Sequence, residues 1–358
     1  MPIQSAQIVI PCSQLDATFA ALTGQLGFLV EMISPADAPT TAVVSGFGVT
    51  LRLESTLLRK IEAPVLRLIA DQPPSTITVP DIRIEWVRRD TAIQIPRARQ
   101  EFTIARNAPA ETWTTGRAGM QYRDLIPGRF GGRFIASHIR IPGGGPVPDY
   151  VHFHDIRFQM IFCKAGWVRV VYEDQGEPFV MHTGDCVLQP PQIRHRVLEA
   201  SAGLEVIELG CPAIHDTHAD HDMLLPTAQV RAMREFGGQR FVRHIAAETR
   251  WLPWTWMGQD AADFEAQDTG INAATHGLAA ARIVRAGRAA RDACTPRASH
   301  DGELLFVFLL KGALHLRSEA LGDHILHADD SVTIPPGVNV SLHAEACAEF
   351  LEVSLPAE

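Results

Sequence analysis

The stretch Val151–Gly166, VHFHDIRFQMIFCKAG, decides how the rest of the chain is read. His152 and His154 stand at alternate positions. On a strand, successive side chains point to opposite faces, so both imidazoles project to the same side. Gln159 follows after a turn through Asp155-Ile156-Arg157 and can reach back to that side from the next strand. About forty residues downstream, GDCVLQPPQIRH supplies His195 from its own hairpin, with Pro190-Pro191 setting the turn. Three imidazoles and one amide oxygen define a mononuclear site with open positions. The expected cofactor is one divalent metal ion per chain, with Fe, Zn, Mn, Ni and Cu all compatible with imidazole. An amide cannot act as a general base. Proton transfer would then use a metal-bound hydroxide, the substrate itself or His138, on the preceding strand FIASHIRI, which is the candidate catalytic residue as a substrate base, a further ligand or a support for one. Alternation places it on one face with Phe134, Ala136 and Arg140.

An internal repeat frames this motif. MQYRDLIPGRFGGRFIASHIRIPG, from Met120, lies over FEAQDTGINAATHGLAAARIVRAG, from Phe264, and pairs Asp124 with Asp268, Gly132 with Gly277 and Arg140 with Arg285. Further on, His154 pairs with His300, Gly166 with Gly312 and Pro190 with Pro335. The offset stays near 145 residues, which is a duplicated domain rather than a solenoid. Each copy is a run of short strands separated by Gly, Pro and Asp turns, the pattern of a small antiparallel barrel. In the second copy the partners of His152, Gln159 and His195 are Ala298, Leu305 and Val340. One surviving histidine, His300, does not hold a metal.

Gly145, His152, His154, Gln159 and Gly166, followed by Gly184, Pro190 and His195, resemble the two short motifs of the cupin superfamily. The first departs from the family pattern in having Gln159 in place of a glutamate and one extra residue after Gly145. The second has Gln192 where a glycine is common. The resemblance implies a mainly β chain with two tandem cupin barrels (double-stranded β-helix or jelly roll). Residues 116–212 would form the metal-binding barrel and 264–358 a degenerate one. Their metal ligands would be His152, His154, Gln159 and His195.

Residues 1–60 read as strand, helix and three strands. Ser13 is a candidate helix cap, Leu15, Phe19, Leu22 and Leu26 recur at helical spacing, and Gly27 marks the stop. This βαβββ order resembles one module of the glyoxalase/bleomycin-resistance superfamily, with Glu54 its one residue of ligand type in a matching place. Residues 61–115 read as connecting strands and 213–263 as an inter-barrel linker. In the linker, His215, His218 and His221 lie three apart, a spacing that would align them on a helix. Flanking Pro212 and Pro226 with Asp216 and Asp220 favour capped turns instead. Trp251, Trp254 and Trp256 read as interface or core packing.

Composition narrows the partners. The chain has 358 residues, is 46% hydrophobic and 20% charged, and carries a net charge of -9. That balance argues against nucleic acid or an anionic membrane. The six cysteines form no CxxC pair and read as reduced thiols. The amino-terminal residues lack a secretory signal and no apolar run is long enough to span a bilayer, so the expected location is the cytoplasm. The half-module and exposed barrel edges suggest a homodimer.

Gln159 in place of a carboxylate leaves the expected centre formally dipositive, which would favour anionic oxygen donors such as enolates, phenolates or carboxylates. Phe158, Met160, Phe162 and Trp167 are candidate walls of a pocket for a small oxygenated molecule. The resemblance implies, first, a dioxygenase. A redox-neutral Lewis-acid enzyme, such as a polyketide-type cyclase or an isomerase, and a non-catalytic metabolite-binding cupin are the other two readings.

Overall fold

The computed structural model describes residues 5–12, 14–25, 27–46, 48–56, 65–69, 83–87, 93–107, 113–116, 119–287 and 292–356. The amino-terminal unit has the expected order. Strand Ser5–Pro11 leads into helix Leu15–Ala20, which widens over Ala21–Gln25, and strands Leu29–Ser34, Thr41–Gly46 and Val49–Glu54 follow. The last three form an antiparallel meander, and Ser5–Pro11 lies parallel to Val49–Glu54. A parallel pair needs a crossover. The helix supplies it, and its Leu15, Phe19 and Leu22 pack on Ala42, Leu51 and Leu53. Ser13 lies outside the described residues; Gln14 precedes the helix without a side-chain cap. Val49–Glu54 is an interior strand, and Glu54 is held by Thr41 at 3.0 Å and by Arg52, a structural role.

Two jelly-roll barrels follow. In the first, a sheet ordered Val242–His244, Cys186–Leu188, Phe158–Ala165, Leu204–Cys211, Ile135–Ile141, Gln121–Asp124, Thr114–Thr115 faces a second sheet that carries Phe179–His182, Trp167–Tyr172, His195–Ala200 and His152–His154. The second barrel repeats this plan. Leu252–Trp256, Gln259–Asp268, Ala280–Ala286, Glu349–Leu355, Leu304–Lys311 and Ser331–Thr333 form one sheet, and Asp292–Cys294, Ser341–Glu345, Ala313–Ser318 and Gly322–His327 the other. The motif glycine Gly166 follows one strand at φ 76°, where a Cβ would be strained and would lie only 2.3 Å from Ser201 Oγ. Gly312 repeats that conformation at φ 74°.

The barrels pack back to back. Along Leu204–Cys211, Ile207, Leu209 and Cys211 face the partner barrel, while Val206 and Glu208 face their own interior. Phe306, Phe308, Leu351 and Val353 meet them from the second barrel. Each buried side chain of that size contributes about 1.5–3 kcal/mol.

The stretches expected to connect these units do more than connect. Val65–Ile69 and Arg83–Val87 extend the amino-terminal sheet. Thr103–Ala105, which precedes the first barrel, pairs with Ser331–Thr333 of the second, and Val242–His244, which precedes the second barrel, pairs with Cys186–Leu188 of the first. Each barrel thus receives an edge strand from the segment ahead of the other. Thr217–Ala219, in the expected linker, pairs with His152–His154 on one side and Leu29–Ser34 on the other. It joins the amino-terminal unit and the first barrel in one continuous sheet. Among the described residues, no helix is long and apolar enough to cross a membrane.

Candidate metal centre

Strand alternation delivers the first two histidines. His152 and His154 turn inward and are buried, while Phe153 turns outward beneath Arg194, whose guanidinium lies 4.0 Å from the ring. His195 stands directly across the ladder from His152. The ring centroids are 4.2 Å apart for His152 and His195, 5.2 Å for His154 and His195, and 5.3 Å for His152 and His154. One nitrogen from each falls within 4.8 Å of the others. Gln192, where the motif commonly has glycine, adopts φ 63° and is held by its backbone N–H on His154 O and its side chain on Asp155.

The other ring nitrogens fix which atoms face inward. His152 Nδ1 donates to Tyr150 O at 2.8 Å, with Asp149 Oδ1 at 3.5 Å, and His195 Nδ1 donates to Ile193 O at 3.0 Å. A carbonyl only accepts, so these nitrogens carry the proton and Nε2 carries the lone pair. The Thr217 hydroxyl lies 2.9 Å from His154 Nδ1 and can accept from it in the same way. Histidine ligands are oriented through their second nitrogen in this manner. The donor set fits a divalent ion.

Gln159 is buried at the end of a directional chain. Tyr172 Oη, stacked on His195 at 5.4 Å, donates to Gln189 Oε1 at 2.6 Å. Gln189 Nε2 donates to Gln159 Oε1 at 3.0 Å, and Gln159 Nε2 donates to Glu208. Burial pushes the Tyr172 phenol up, so it remains a donor. The amide oxygen of Gln159 therefore faces Gln189, whose Nε2 is 3.4 Å from His195 Nε2, and its amide nitrogen faces the carboxylate. Sequence reasoning missed Tyr172, Gln189, Thr217 and Glu208. Glu208 had a signal: Glu352 stands at the corresponding place in the second copy.

The histidines close one end of a cavity of about 100 Å³ walled by Ile139, Ile161, Val168, Val170, Met181 and Val206. Ala36 of the amino-terminal unit also reaches it. The expected walls need correction. Phe158, Met160 and Phe162 point into the core between the barrels, because Gln159 and Ile161, on the alternate positions, face the cavity. Trp167 does not line it, whereas Val168, Val170 and Tyr172 of the same strand do. Glu208 also lines the cavity, and no Lys or Arg lines it among the described residues.

His138 is also corrected: it does not reach this cavity. Ile139 and Ile141 face the cavity, so His138 faces the second barrel, edge-on to Phe308 at 5.8 Å. Its Nδ1 accepts from Arg123 at 3.1 Å and its Nε2–H donates to Glu205 at 2.8 Å, which is the neutral tautomer. Burial holds its pKa below the ordinary histidine range. His138, Glu205 and Asp329 lie close enough for a cation, and Lys164 already fills that role, bridging Glu205 and Asp329.

The three linker histidines do not gather. His215 Nδ1 bonds Pro212 O at 3.0 Å, His218 bonds Asp155 at 2.9 Å and stacks on Phe153, and His221 bonds Val30 O. In the second barrel, Ala298 and Val340 pair across the ladder as His152 and His195 do in the first. They and Leu305 lie in a core that also holds Trp254 and Trp256, which fill the interior. His300 uses both nitrogens on backbone, Nε2 on Ile334 O at 2.8 Å and Nδ1 on Gly302 N at 3.1 Å.

No family model matches the chain, and no curated protein matches it significantly. Among solved structures it is similar to the putative glyoxylate induced protein from Pseudomonas aeruginosa. The identity is 11%, over 75% of this chain and 92% of that one, with a TM-score of 0.52. It is also similar to Streptomyces albus HEPD, solved with its substrate 2-hydroxyethylphosphonate and Fe(II) bound. There the identity is 15%, over 72% of this chain and 77% of that one, with a TM-score of 0.51. At such identities the likeness speaks to fold alone. The chain has the fold of a bicupin.

Proposed function

We propose that the chain is a mononuclear metal-dependent enzyme acting on a small, largely apolar, oxygenated molecule, and that the reaction is a dioxygenation of an enol or phenol. The observation that carries this reading is the convergence of one ring nitrogen from each of three histidines on a largely apolar cavity, with Nδ1 contacts that leave Nε2 free to serve. His152, His154 and His195 would hold the ion, with Gln159 Oε1 as a fourth donor. A divalent ion so held supplies Lewis acidity or redox capacity to a bound oxygen atom. The aliphatic walls exclude water and hold the body of the molecule. With Glu208 on the wall, a neutral or singly ionised chelator suits the site better than a dicarboxylate. HEPD, similar in fold, carries Fe(II), which supports iron as the first metal to try.

A redox-neutral cyclase or isomerase is the second reading. A neutral amide donor favours it, because it stabilises a higher metal oxidation state less than a carboxylate does. The two separate in one experiment. Protein loaded with Fe(II) under nitrogen is mixed with neutral enolisable ketones and phenols, binding is read from the ultraviolet spectrum, and oxygen is then admitted. The first reading predicts oxygen uptake matched to ligand loss, abolished in His195→Ala. Turnover by the zinc-loaded protein without oxygen uptake would overturn it in favour of the second.

A further inference from the structure

We propose that Glu208 is the carboxylate of this metal centre, displaced one residue outward, and that it is the reason glutamine stands at position 159. The inference rests on the metal-centre reading and deepens it: Glu208 is a positioning residue that acts on the ion through Gln159.

Three observations meet here. Glu208 lies on the inward face of Leu204–Cys211 and lines the same cavity as the histidines. Its carboxylate accepts from Gln159 Nε2, and a carboxylate in contact with an amide can take only the N–H side. The far oxygen of that amide is thereby aimed at Gln189 and the histidine side, and Gln189 holds it there from the other end at 3.0 Å. A glutamate at position 159 would place two carboxylates in contact, a pair that cannot both stay ionised without a shared cation.

The duplicated barrel supplies a comparison within the chain. Glu352 occupies the place of Glu208, buried and inward. Where the first barrel has Gln159, the second has Leu305, and Glu352 turns instead to Trp254 Nε1 at 3.2 Å and Arg282 at 3.5 Å. Arg282 is its neighbour across the ladder. Ser137 has that place beside Glu208. The second barrel sets its buried Glu352 against an arginine, whereas in the first barrel the half-buried Glu208 hydrogen-bonds a candidate ligand. An ion held by His152, His154, His195 and Gln159 would lie one amide from Glu208.

The test is a Co(II) titration of metal-free protein, reading affinity and the visible ligand-field spectrum. It compares wild type, Glu208→Gln, the double variant Glu208→Gln/Gln159→Glu, and His152→Ala. Glu208→Gln is close to isosteric, and its melting in the metal-free form checks that it folds. The expected result is a loss of roughly tenfold or more in Co(II) affinity with an altered spectrum for Glu208→Gln. Returning the charge through Gln159→Glu should recover the affinity to within about threefold, with a spectrum that reports a carboxylate ligand. A Glu208→Gln protein equal to wild type in affinity and spectrum would overturn the proposal, as would a double variant no better than Glu208→Gln. If wild type and His152→Ala bind Co(II) alike, the metal-centre reading itself fails, and that outcome is distinct from the other two.

Discussion

The Gln189 side chain accepts from Tyr172 at one end of its amide, and at the other end it donates to Gln159 with His195 Nε2 3.4 Å away. Gln189→Leu keeps the volume and removes both. Each buried polar atom left without a partner costs about 1–3 kcal/mol. The variant should therefore melt measurably lower, by calorimetry, and bind metal roughly tenfold more weakly, because the Gln159 amide is no longer held from the Gln189 side. The three histidines were legible from alternation and motif spacing. Gln189 was not, because nothing in PPQIRH says that the residue ahead of the prolines turns towards position 159. Glu208 was half legible. GLEVIEL and AEFLEVSL carry the same glutamate in both copies, and completing the repeat to its last strand would have found it.

At the scale of elements, the seam between the barrels carries a titratable cluster. His138 is flanked by Arg123, Glu205, Lys164 and Asp329, and Phe308 packs against its ring. Burial lowers the His138 pKa from its ordinary 6.5. The hydrogen bond from His138, and then Lys164, hold Glu205 down from 4.5 to about 2. In both cases the folded chain binds fewer protons than the unfolded one, so stability falls on acidification. The His138 contribution is complete above about pH 6.5 and fades as the pH drops through its lowered value. That of Glu205 is complete above about pH 4.5 and is lost towards pH 2. Thermal melts with chelator present, so that metal release plays no part, should show a declining melting temperature over this range. Glu205→Gln should flatten the lower part. An unchanged acid profile in that variant would count against the seam as the acid-sensitive element. The sequence placed His138 on a strand correctly and left its face open, and the choice of face separates a seam residue from a cavity residue. Thr217–Ala219 and Val242–His244 are three residues long and carry no motif to mark their alternation, which is why they passed for linker.

The whole molecule is one barrel used twice for different ends. The duplication, the order of the amino-terminal unit and the loss of ligands from the second barrel were all legible, because each rests on residues that recur at a fixed offset or period. The exchange of edge strands and the shared sheet were not, because pairing partners far apart in the chain leave no local trace. In the second barrel Trp256 is fully buried among Ala298, Val340 and the strands that would otherwise enclose a cavity. Trp256→Ala should cost about 3–5 kcal/mol, read from denaturant unfolding, and leave metal binding unchanged. The central claim is that one centre, built by His152, His154 and His195 in the first barrel, holds the metal. Elemental analysis of protein dialysed against limiting chelator, for wild type, His152→Ala/His195→Ala and His300→Gln, tests it most directly. The account predicts one metal per chain in wild type and in His300→Gln, and none in the double variant. Metal retained by His152→Ala/His195→Ala, or lost from His300→Gln, would contradict it.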